Sequence, residues 1–79
     1  MTMMVQAKRS ADRVSGISNV AFDLLTLLER KLQGIAAMEE YKLDCSEAND
    51  QEALKLIEQL EIIAVEDVGR LRSLLRTRL

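Results

Sequence analysis

Two long stretches of helix-period apolar residues flank one short polar segment, Asp44-Cys45-Ser46-Glu47-Ala48-Asn49-Asp50. No proline interrupts either stretch, so nothing in them forces a helix to break. In the first stretch Asn19, Asp23, Thr26, Arg30, Gln33, Ala37 and Glu40 recur at steps of four and three, which lays them along one solvent-facing stripe of a helix. Opposite them run Val14, Ile17, Ala21, Leu24, Leu28, Ile35 and Met38. The spacing predicts a helix over about 11–42, with Ser10 as its N-cap and residues 1–9 frayed. Gly16 weakens its start.

The polar segment predicts a turn over about 43–49 and holds two overlapping helix starts, Asp44 with Glu47 and Asn49 with Glu52. The second is favoured, because the apolar period resumes soon after Asn49. A second helix over about 50–77 then carries a core stripe of Ala53, Ile57, Leu60, Ala64, Leu71 and Leu74. Leu54, Leu56, Ile63, Val68 and Leu75 flank it, and Ile62 falls among the polar residues opposite. The fold class is therefore all-α: an antiparallel two-helix hairpin in one domain over residues 1–79.

The first helix carries more apolar surface than one neighbour hides. Val20, Phe22, Leu25, Leu27 and Leu32 flank its central stripe on both sides. One partner helix needs a narrow seam, whereas a helix in a bundle needs a wider face. A core this small supplies only about 3–5 kcal/mol without a staple or a partner. Cys45 has no second cysteine to pair with. These features predict pairing of two hairpins into a homodimeric four-helix bundle. Its interface would draw on Val20, Leu24, Leu25, Leu27, Leu28, Leu32, Ile35, Ile57, Leu60, Ile63, Leu71 and Leu74.

Charge suggests the direction of pairing. Basic residues gather near the chain ends, with Lys8, Arg9 and Arg13 at one and Arg70, Arg72, Arg76 and Arg78 at the other. Glu39, Glu40, Asp44, Glu47, Asp50 and Glu52 surround the turn. An antiparallel dimer sets the basic end of each hairpin against the acidic turn of the other.

Few features suggest chemistry. Lys31 and Asp67 lie on the two core stripes, nearly facing one another, and form a candidate register pair. Cys45 lies among acids, with no His to act as its base. Glu58-Gln59-Leu60-Glu61 lacks the His of carboxylate-bridged metal bundles, and Glu39, Glu40, Glu58 and Glu61 read as solvated faces. No catalytic residue, metal or cofactor is expected. Arg70, Arg72, Arg76 and Arg78 are the candidate anion contacts of a phosphate or nucleic-acid binder. Against that reading stand a net charge of −2 and an aromatic content of one Tyr and one Phe. One Cys, no visible signal peptide and no apolar run of about 20 residues point to a cytoplasmic protein.

Leu24-Leu25-Thr26-Leu27-Leu28-Glu29-Arg30-Lys31, followed by Tyr41-Lys42, resembles the long first helix of the all-helical chorismate mutases. The resemblance would place Lys31 and Lys42 at that family's cationic substrate positions, the first of which is normally Arg. It extends only from Leu24 to Lys42. Val14 stands where the family helix carries an upstream Arg, and the chain is too short for the family's third helix. The expected function is thus a small non-catalytic interaction or scaffold module, binding itself and a further helical protein.

Overall fold

A computed structural model describes residues 13–79 and shows two α-helices folded back on one another. Helix α1 spans Asn19–Glu47 and α2 spans Gln51–Arg76, 29 and 26 residues long. At 1.5 Å per residue α1 is about 43 Å long. The Cα envelope measures 52 × 27 × 13 Å, and its thinnest dimension is that of one layer of helices. No strand occurs among the described residues.

The first helix starts later than the apolar period implies. Residues 13–15 are helical, but the chain then breaks at Gly16, which adopts a left-handed φ of +76°. Glycine reaches that conformation without a side-chain clash. Ser18 restarts the helix as its N-cap, its hydroxyl accepting from the Ala21 N–H at 3.1 Å. Val14 is consequently 88% exposed and takes no part in the seam. The expected N-cap Ser10, the fraying of residues 1–9 and the basic residues Lys8 and Arg9 lie outside the described residues.

The turn is also shorter than expected. Asp44 to Glu47 continue α1: none of them is Gly or Pro, and the lower helix propensity of Asp, Cys and Ser costs each less than about 0.7 kcal/mol, too little to end a helix. The connection is residues 48–50. Asn49 takes φ +56°, while its N–H donates to Ser46 O at 3.1 Å and the Asp50 N–H donates to Cys45 O at 2.9 Å. This pair of bonds is the Schellman closure, and Asn is one of the few side chains that tolerate its left-handed position. Asn49 therefore ends α1 instead of capping α2. Asp50 is the N-cap, its Oδ1 accepting from the Ala53 N–H at 3.0 Å.

Burial defines the seam between the helices. On α1 the covered positions step through Ala21, Leu24, Leu28, Lys31, Ile35, Met38, Lys42 and Cys45. On α2 they step through Leu54, Ile57, Glu61, Ala64, Val68, Leu71 and Leu75. Both series alternate threes and fours, the 3.5-residue period of a coiled-coil seam. The expected stripe on α2 was displaced: Leu60 and Leu74 are exposed, whereas Glu61, Val68 and Leu75 lie in the seam. Counting apolar residues alone steers the stripe around Glu61, which an ion pair keeps in place.

Candidate interaction surface

A narrow seam covers little. Only Ala21, Ala64 and Leu75 are buried among the apolar residues described, and no large side chain is fully enclosed. Among the described residues fifteen large apolar side chains are exposed. The residues expected at an intermolecular interface divide accordingly. Leu24, Leu28, Ile35, Ile57 and Leu71 are half-buried within the hairpin's own seam. Val20, Leu25, Leu27, Leu32, Leu60, Ile63 and Leu74 are exposed. Further apolar exposure comes from Phe22, Tyr41, Leu43, Leu56, Ile62 and Val65.

The exposed residues fall on both sides of the layer. An approximate two-fold axis normal to the layer relates the helices of an antiparallel pair, so like flanks of the two helices share a face. One face holds a shallow groove lined by Leu27, Lys31, Asp67, Arg70, Leu71 and Leu74. Helical spacing extends it through Val20 and Tyr41 on α1 and Leu56, Leu60 and Ile63 on α2. The other face carries Phe22, Leu25, Leu32, Ala36 and Leu43 on α1, with Ile62 and Val65 on α2.

Among the described residues two ionic contacts cross the seam. Lys31 Nζ lies 3.1 Å from Asp67 Oδ2, with the two side chains 42% and 31% exposed. At that exposure the contact is a rim pair of small energetic weight. Lys42 is better covered, its ammonium 3.0 Å from Glu61 Oε1 and 3.2 Å from Glu39 Oε1. Hydrogen bonds to Glu61 and then Glu39 raise the Lys42 pKa, and the Lys42 bond pulls Glu61 below the ordinary carboxylate range. Sequence reasoning missed this cluster by treating Glu61 as solvated. The signal was present: Lys42 and Glu61 occupy seam positions of opposite charge, one on each helix. Lys31 and Lys42, the positions marked by the chorismate mutase resemblance, thus each hold a carboxylate of α2.

The charged poles are arranged as the hairpin requires. Asp44, Glu47, Asp50 and Glu52 surround the turn, while Arg72, Arg76 and Arg78 are exposed toward the open end. Arg70 lies farther in, and Arg13 is exposed before the Gly16 break. Arg78 is partly committed locally, donating to Leu74 O at 3.1 Å and to Thr77 Oγ1 at 2.9 Å, which caps α2. Cys45 is a free, half-covered thiol on the seam. Among the described residues no group of three or more Cys, Asp or Glu is placed to hold a metal ion. No described helix is long and apolar enough to cross a membrane. Compared with known protein families, curated proteins and solved structures, the chain matches none.

Proposed function

We propose that this chain is a non-catalytic interaction module that pairs with a second copy into an antiparallel four-helix bundle and offers its remaining surface to another helical protein. The observation that carries the reading is the imbalance, among the described residues, between three buried apolar residues and fifteen large exposed ones. A Leu-sized side chain contributes about 1.5–3 kcal/mol only when water is removed from it. A lone hairpin leaves most of that contribution unrealised, and a partner helix layer recovers it. The opposed charge of turn and open end supports the antiparallel direction. Cytoplasmic residence belongs to the same proposal, since a lone cysteine suits a reducing compartment.

Thermal unfolding at varied protein concentration tests it. Association binds the folded state and not the unfolded one, so the midpoint should rise with concentration. A concentration-independent midpoint contradicts the reading. Exposed Arg70, Arg72 and Arg76 favour a rival, anion or nucleic-acid binding, although the capping role of Arg78 weakens it. Filter binding separates the two. Retention that falls steeply with salt supports the rival, and no retention at low salt removes it.

A further inference from the structure

The two faces of the hairpin do not match themselves equally well. On α2, Ile62 and Val65 are 60% and 54% exposed and belong to the face opposite the Lys31–Asp67 groove. Glu58 precedes Val65 by seven residues and Arg72 follows it by seven. A seven-residue step returns to the same flank of a coiled-coil helix, so Glu58, Val65 and Arg72 form one stripe, and Lys55, Ile62, Gly69 and Arg76 form a second beside it on the same face. We infer that a second copy of this chain docks on this face about a two-fold axis at Val65, with each Glu58 meeting the other copy's Arg72. The inference rests on the bundle reading above and adds to it the face, the axis and the charge pairs.

Stacking two hairpins antiparallel sets each helix against its own counterpart running the opposite way. The Glu58–Val65–Arg72 stripe then meets its reverse, so Glu58 meets Arg72 at both ends and the apolar Ile62 and Val65 meet in the middle, while Lys55 approaches the second copy's Arg76 at the outer end as a like-charge encounter. The Lys31–Asp67 contact at 3.1 Å puts Val65 level with the region of Gly34 on α1. Reversal about that level brings Leu25 to the second copy's Leu43 and Leu32 to its Ala36. Glu29 approaches the second copy's Glu39, a like-charge encounter eased because Glu39 already has Lys42 at 3.2 Å. On the groove face the reversal matches Leu27 with Tyr41 and Leu56 with Leu74, but it pairs no charge with an opposite one. The same operation there sets Ile63 against Asp67 and Leu60 against Arg70, apolar groups against charges. The extent also suffices. A face about 43 Å long and about 20 Å wide offers on the order of 800 Å² per copy, the size of a standard specific interface.

Glu58 and Arg72 are fourteen residues apart on one helix, about 21 Å, so they do not pair within a chain. Charge exchange therefore reads intermolecular contact. Sedimentation equilibrium of the full chain should show Glu58→Arg and Arg72→Glu each raising the dimer Kd by about tenfold or more, through two like-charge encounters per dimer. The double exchange should return Kd to within about threefold of wild type. As a second reading, the Val65→Cys variant on a Cys45→Ser background should join to itself through a short bis-maleimide. In a dimeric protein, failure of the double exchange to restore Kd, or absence of that crosslink, overturns the face and axis while the bundle stands. A wild-type monomer overturns both.

Discussion

Asn49 is where one residue decides the topology. At φ +56° it turns α1 into α2, and its N–H and that of Asp50 close the end of α1. Asn49→Val should destabilise by about 1–2 kcal/mol in urea melts, since a β-branched side chain clashes in the left-handed region, whereas Asn49→Gly should be neutral or slightly stabilising. Lys42 and Glu61 set the second residue-scale expectation. Glu61 titrates below its ordinary range when folded, so its contribution is complete above that range and is lost as pH falls through the lower folded pKa. Lys42 titrates above its ordinary value, so its contribution holds below that value and is lost as pH rises through the raised pKa. Urea midpoints should therefore be insensitive to this cluster around neutrality and fall in strong acid, with Glu61→Gln removing part of the acid-side fall. An unchanged acid limb in Glu61→Gln would contradict the assignment. The Lys31–Asp67 contact was legible because both charges interrupt apolar stripes. The Lys42–Glu61 contact was overlooked, although both residues continue the three–four steps of their seams, because Glu61 was read as surface without regard to the charge across from it.

The helices themselves were legible as elements, and their ends were not. Apolar periodicity announces a long helix, but it passes through Gly16, where a left-handed φ breaks the chain, and it stops before Asp44 to Glu47, which simply continue the helix. Cap chemistry decided both points, through the Ser18 hydroxyl at one end and the Asn49 conformation at the other. The seam shows the same division. Ala21, Leu24, Leu28, Ile35 and Ile57 were placed on it by spacing, while Leu60 and Leu74 were displaced to a flank once Glu61 took a seam position. The 3.5-residue period also explains why Asp67 is a rim residue beside Val68 and Leu71. A half-exposed pair is worth at most about 1 kcal/mol, so Asp67→Leu should leave stability within that margin or raise it by extending the groove of Leu71 and Leu74. A loss of several kcal/mol in urea melts would show instead that Lys31 depends on its partner.

For the whole molecule, the governing fact is thinness. Two helices in one layer have two faces, and a 3.5-residue seam covers neither. Apolar excess on the first helix was readable from Val20, Phe22, Leu25, Leu27 and Leu32. Its distribution over opposite faces was not, because flank assignment needs the true seam, and that seam runs through charged residues. The distribution carries the proposed division of labour, with one face for a second copy and the Lys31–Asp67 groove for a different helical partner. Sedimentation equilibrium of the wild-type chain from about 1 to about 100 µM, the range over which modest interfaces form, tests the need for a partner most directly. The account predicts a dimer, twice the mass of one chain, populated within that range. A folded helical species of single-chain mass throughout, with Leu25, Leu32, Ile62 and Val65 left in water, would contradict it.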